Sequence, residues 1–223
     1  YLRDLRGVTT SPIKEMNFFN EIFPDPNRLS VIPKIVKRVQ DYYELPDDTK
    51  VFCEITPNYA LLRPEGFAFI AKYFQSQNLD LQIFYVMRDP VERLWSQLRY
   101  AQQFGETANI EKTWKAMLSK KTVLERADYR KTIQALDEVF PRGTVKYLFY
   151  EDLFKRDGLS QLCNFAELPF RAPKKDKRHN ETQVKVAMPE DVRNALRHLL
   201  EPQYAFCRDR FGRELPNEWA STT

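Results

Sequence analysis

Apolar positions along the chain fall into two patterns. Three short runs are apolar almost without interruption: Val51 to Thr56, Leu81 to Met87 and Val145 to Tyr150. Runs of this length, rich in β-branched and aromatic residues, predict strands covered on both faces. Between them the apolar residues recur three and four apart. Ser30 to Tyr43 sets Ile32, Ile35, Val36 and Val39 on one helical face, with Ser30 placed to cap its start. Pro64 to Phe74 repeats at Phe67, Ile70, Ala71 and Phe74, and Pro90 to Gln103 at Val91, Leu94, Trp95 and Leu98. Further helices are predicted near 110–119, 125–139, 158–167 and 189–211. Strands alternating with helices predict an α/β domain, a mainly parallel central sheet flanked by helices in three layers. The chain's 223 residues fit one such domain spanning 1–223.

Composition agrees and removes several classes. Hydrophobic residues are 43% and charged residues 30%, a balance that supports a packed core and argues against disorder. No apolar run approaches the ~20 residues of a membrane span, and a signal peptide is not expected. The six glycines lie far apart, which excludes a G-x-G-x-x-G loop or a Walker A loop within these residues. His179, His198, Cys53, Cys163 and Cys207 have no metal-ligand spacing, so no metal is expected. Three scattered cysteines point to a reducing compartment. The expectation is therefore a cytoplasmic protein, or a Golgi-lumen one if its parent carries an upstream anchor.

The net charge of +4 is local: residues 171–185 carry all of it. Arg171, Lys174, Lys175, Lys177, Arg178 and Lys185 stand there against Asp176 and Glu181. A patch this small suits a phosphate-rich small ligand or a solvated loop; nucleic-acid binding would need a wider basic face.

The segment Ile83 to Ser96 reads IFYVMRDPVERLWS. A strand ends at Met87, Arg88 follows at its carboxyl end, Asp89 can cap the next helix, and Pro90 suits the first helical position. In open α/β sheets ligands bind at that edge. A helix start there is expected to offer unpaired N–H groups to an anion. Arg88 adds a planar fork that matches phosphate oxygens, and Ser96 a hydroxyl. Read without context, Arg88 can equally pair with a carboxylate and Ser96 pack as a helix serine.

The string R-D-P-x-x-R followed by a serine resembles the 3′-phosphate-binding motif of sulfotransferases that use 3′-phosphoadenosine-5′-phosphosulfate (PAPS) and release adenosine 3′,5′-bisphosphate (PAP). Three further segments resemble that family in order and spacing. Lys14 to Phe19, KEMNFF, is similar to the K-E-x-H-F-F motif of its bacterial and glycan-type branches, and Glu54 to Tyr59, EITPNY, to their E-K-T-P-x-Y. Phe149 to Leu153, FYEDL, is similar to the family's Y-E-D-L strand end. The resemblance extends from Lys14 to the LPNEW near the C-terminus.

It implies a P-loop-NTPase-like α/β fold and PAPS-dependent transfer of a sulfuryl group to a hydroxyl or amine. The acceptor would be a small molecule, lipid or carbohydrate, with no metal and no nucleic acid involved. It implies that Arg88 and Ser96 hold the 3′-phosphate and that Tyr150 lies near the adenine. Tyr150 can also be a buried strand-end tyrosine bonded to Glu151 or Asp152. Lys174, Lys175, Lys177 and Arg178 stand where the family has a loop that closes over the nucleotide. Glu15 takes the place of the catalytic base. A carboxylate beside Phe18 and Phe19 can have its pKa raised by desolvation, though a loop carboxylate paired with Lys14 fits the sequence too. Lys14 can instead contact the sulfuryl group or the acceptor.

Three departures qualify the match. The family's 5′-phosphosulfate loop, of the type G-x-x-K-x-G-T-T/S, is missing; Tyr1 and Leu2 resemble the tail of the helix that follows it, so the expectation is a domain truncated at its N-terminus. The motif histidine is Asn17, which argues against a histidine base. The frequent lysine of E-K-T-P is Ile55, which makes a heavily sulfated glycan a poorer acceptor. Two other readings compete. A nucleotide or small-molecule kinase on the same architecture would need a Walker A loop and Mg²⁺-binding carboxylates, and a non-catalytic nucleotide-binding module would need neither.

Overall fold

A computed structural model of the chain describes residues 1–11, 15–22, 49–76, 78–153, 155–173 and 182–220. The helix expected over Ser30 to Tyr43 lies outside them. The chain divides into two compact units: Tyr1–Ile83, Ala135–Val145 and Ser160–Lys175 form the first, and Phe84–Gln134, Lys146–Leu159 and Asp176–Thr223 the second.

In the first unit, strands β1 (Val8–Thr10) and β2 (Val51–Cys53) pair in parallel, Val8 opposite Val51 and Thr10 opposite Cys53. Gly7 starts the pair. At φ 79° its carbonyl accepts the amides of Lys50 (2.8 Å) and Val51 (3.0 Å), and the Lys50 stem passes within 3.3 Å of where a Cβ would stand. Helix α1 (Phe18–Ile22) and helix α2 (Pro64–Ser76) supply an aromatic core. Phe19, 3% exposed, has the rings of Phe18, Tyr59, Phe69, Tyr73 and Phe74 within 6.3 Å. Edge-to-face contacts of this kind add ~0.5–1.5 kcal/mol each beyond the area they bury.

The second unit is built on β3 (Ile83–Met87), which neighbours β4 (Val145–Phe149), and on two long helices, α3 (Pro90–Gln103) and α9 (Glu190–Phe211). Between α3 and β4 the chain forms α4 (Ile110–Leu118), α5 (Lys121–Glu125) and α6 (Tyr129–Val139); after β4 come α7 (Tyr150–Leu153) and α8 (Arg156–Phe165). Helix α3 buries Val91, Leu94, Trp95 and Leu98, each 0–2% exposed, on the face its spacing predicted. The short helix α10 (Asn217–Ala220) inserts Trp219 into this core, where it stacks on Tyr129 and meets Phe149 and Tyr204 edge-on.

The α/β class read from the sequence is that of the structure, and α3 has the predicted ends. Three local readings change. The strands are shorter and half-buried, and β2 stops at Cys53 because the Glu54 carboxylate takes hydroxyl hydrogen bonds from Thr56 (2.6 Å) and Tyr59 (2.7 Å) as Pro57 opens a single 3₁₀ turn. Strand β1 was not foreseen. The helix expected over 125–139 starts later, at Tyr129, and a separate short helix ends at Glu125; Asp128 caps the later one by accepting the Lys131 amide (3.2 Å) and also takes the Gln203 amide group (2.9 Å). Among the described residues no helix is long and apolar enough to cross a membrane.

Candidate active site

In the second unit the turn between β3 and α3 is held from every side. The Tyr129 hydroxyl donates to the Arg88 carbonyl (2.7 Å), and the Asp89 amide donates to Glu151 Oε1 (2.8 Å). Asp89, 7% exposed, caps α3 by accepting the Glu92 amide at Oδ1 (3.0 Å). Its other oxygen accepts the Tyr204 hydroxyl (2.8 Å), with Arg197 at 3.8 Å. Arg197 in turn lies 3.8 Å over the Tyr204 ring and donates to the Trp219 carbonyl (2.7 Å). Burial, then the neighbouring Asp89 carboxylate, pushes the Tyr204 phenol far above its ordinary pKa, so it stays a donor.

This pinning corrects one expectation. The start of α3 was expected to leave N–H groups open to an anion, yet the Val91 amide reaches the Tyr204 hydroxyl (3.4 Å) and the Glu92 amide the Asp89 cap. The backbone at this turn is therefore not open to an anion, which would meet side chains instead.

Arg88, its side chain 31% exposed, lies with its guanidinium 5.3 Å from the centre of the Tyr150 ring. Tyr150 opens α7 and is 47% exposed, so it is not the buried strand-end tyrosine the sequence also allowed. Arg88 Nη2 approaches Glu92 Oε2 at 3.4 Å, while Glu92 Oε1 accepts from Arg193 Nη1 at 2.8 Å. Ser96 is half-buried one turn beyond Glu92 on the same helical face. Arg93, the second arginine of the string, donates to Gln97 (3.0 Å), and burial draws its pKa below the usual arginine value. Gly158 keeps the next turn tight, since a Cβ there would overlap the Asp152 carbonyl.

In the first unit the KEMNFF and EITPNY segments meet. Asn17 donates from Nδ2 to the Glu15 carbonyl (2.9 Å) and accepts at Oδ1 from Asn58 Nδ2 (2.8 Å); the Asn58 carbonyl takes the Asn20 amide group (2.8 Å). Glu15 and Asn17 both adopt left-handed backbone, φ 57° and 52°. Glu15 is half-buried and Phe18 and Phe19 are buried after it. Ile55 is 62% exposed. Burial, then Glu54, holds the Tyr59 phenol protonated.

Lys14, Lys174, Lys175, Lys177 and Arg178 lie outside the described residues. Trp95 is core, as read, and Trp114 packs against it. Sequence reasoning missed Glu92, Arg193, Arg197 and Tyr204. Arg193, Arg197 and Tyr204, four and seven apart on α9, carried only a helical signal. Among the described residues no group of three or more His, Cys, Asp or Glu side chains is placed to hold a metal.

Residues 68–199, more than half of the chain, match the sulfotransferase domain family. The chain belongs to that family and is an enzyme of sulfuryl transfer, a sulfotransferase. The crystal structure of a sulfotransferase from Alicyclobacillus acidocaldarius superposes with a TM-score of 0.69 at 16% identity, covering 99% of this chain and 92% of that one. At that identity the likeness is one of fold. No curated protein matches.

Proposed function

We propose that this sulfotransferase takes its sulfuryl group from PAPS and passes it in line to a hydroxyl or amine of a small-molecule, lipid or carbohydrate acceptor. The observation that carries the donor assignment is the half-buried Arg88 guanidinium 5.3 Å from the centre of the exposed Tyr150 ring, with Ser96 further along the first helix after β3. A planar cation and an exposed tyrosine ring suit a phosphate and a purine. When bound, PAPS supplies an activated sulfuryl group with a phosphate leaving group.

The chain's own residues do the rest. Arg88 and Ser96 hold the 3′-phosphate and thereby aim the nucleotide, and Tyr150 offers its face to the base. The cations Lys174, Lys175, Lys177 and Arg178 balance the charge of the phosphates. Glu15 accepts the acceptor's proton as general base, and Lys14 stabilises the charge on the equatorial oxygens or on the acceptor.

The test is calorimetric titration of the full natural protein with PAP and with AMP. PAP, which carries the 3′-phosphate, should bind far more tightly. A charge-assisted hydrogen bond contributes ~1.5–3 kcal/mol, so Arg88→Ala should weaken PAP by at least about 10-fold and leave AMP unchanged. Equal affinities for PAP and AMP would overturn the donor assignment.

A further inference from the structure

Arg88 does not stand alone. Glu92 follows it by one helical turn, in the first turn of α3, where an acid favours the helix dipole. On the reading above, in which Arg88 takes the 3′-phosphate, the same acid stands next to the phosphate's cation, and a carboxylate there repels the phosphate. Glu92 Oε2 lies 3.4 Å from Arg88 Nη2, at the long limit of a hydrogen bond, whereas its Oε1 takes Arg193 Nη1 at 2.8 Å. Arg193 sits in the first turn of α9, 101 residues away in sequence, and its side chain is 41% exposed.

We propose that Arg193 is a positioning residue for the 3′-phosphate clamp: it occupies and neutralises the Glu92 carboxylate, leaving the Arg88 guanidinium available to the nucleotide. The inference rests on the PAPS reading above and adds a residue to it. Arg88, Glu92 and Arg193 together carry one net positive charge. Without Arg193 that charge is cancelled, and Glu92 is left with Arg88 as its cation. The acid then competes with the phosphate for the same fork. Without Glu92 there is nothing to compete, and Arg193 becomes dispensable for this purpose.

The discriminating measurement is a double-mutant cycle on PAP affinity by calorimetry, with Arg88→Ala in the same series. Arg193→Ala should weaken PAP by about 3- to 10-fold at low salt, and less at high salt because all three side chains are part-exposed. In steady state the loss should fall on KM for the donor, with kcat nearly unchanged. Glu92→Gln should bind PAP at least as tightly as the natural protein. On that background Arg193→Ala should cost less than about 2-fold, the sign of coupling between the two positions. Arg193→Lys, which keeps the charge, should recover most of the affinity, and it also serves if the alanine variant folds poorly, as read from its melting curve.

An undiminished loss in the Glu92→Gln background overturns the inference, since Arg193 would then act on the nucleotide without Glu92. An unaltered affinity in Arg193→Ala beside a weakened Arg88→Ala overturns it while leaving the PAPS reading intact. An unaltered Arg88→Ala overturns both.

Discussion

Glu15 and Asn17 hold left-handed backbone within three residues of each other, a conformation that costs non-glycine residues roughly 1–2 kcal/mol apiece. Asparagine tolerates it better than most, and here its amide bridges Glu15 and Asn58, tying together two motifs that lie about forty residues apart. Asn17 thus joins the two segments, and its amide is not a base. The proton then falls to Glu15 in our reading. Glu15→Gln keeps the size and the backbone cost but loses the basic oxygen. Single-turnover transfer should fall by ~10²–10⁴-fold with PAP affinity and melting temperature unchanged. Near-normal turnover in the folded variant would remove Glu15 from the mechanism. Glu15, Arg88, Ser96 and Tyr150 could be proposed from the sequence because each lies in a short motif, and the cations of 174–178 from local charge alone. The left-handed backbone was not, since neither position is a glycine.

At the scale of elements, helix α9 holds the start of α3 in place. Tyr204 donates to Asp89, Arg197 packs on Tyr204, and Arg193 takes Glu92, so one face of a single helix serves both the cap and the acid next to Arg88. Tyr204→Phe preserves the ring and its contact with Trp219 but leaves one oxygen of a buried carboxylate without its hydroxyl donor. A cost of about 1–3 kcal/mol in urea unfolding is expected, with the melting temperature falling accordingly. An unchanged unfolding midpoint would mean that Arg197, at 3.8 Å, suffices for Asp89. The spacing of Val91, Leu94, Trp95 and Leu98 made α3 readable end to end, since one apolar face and the Asp-Pro start are local signals. The break between α5 and α6 was not readable. Asp128 is held there by Gln203, 75 residues on, and no window of sequence contains both.

Across the whole molecule, burial acts on phenols and thiols in one direction. Burial, followed for Tyr59 and Tyr204 by the nearby carboxylates of Glu54 and Asp89, raises the pKa of Tyr59, Tyr85, Tyr129 and Tyr204 above the ordinary 10.0. The Cys53 and Cys207 thiols are pushed from 9.0 up to about 11 and about 12. Each group therefore binds its proton more tightly folded than unfolded. Such groups contribute stability that is fully present below pH 9 and is lost as the pH climbs through the raised values, because the unfolded chain ionises first. The urea midpoint should hold steady from this cause up to about pH 9 and fall between pH 9 and 12, and a midpoint level to pH 11 would contradict it. Native Cys207, 0% exposed, should resist alkylation at pH 8 while the unfolded chain reacts.

What the sequence determined by itself is what a short window can encode: the α/β alternation, the ends of α3, and a string of motif residues from Glu15 through Arg88 to Tyr150. Local spacing and composition suffice for these because strand runs, helix faces and caps are near-neighbour properties. The tertiary structure alone decided how the polar groups are shared. It gave the N–H groups of α3 to Tyr204 and Asp89 rather than to solvent, turned Tyr150 outward under Arg88, and set Arg193 against Glu92. Those pairings join residues up to 113 positions apart. A donor or acceptor takes whichever partner folding brings within hydrogen-bond reach, and the order of residues along the chain does not record that choice.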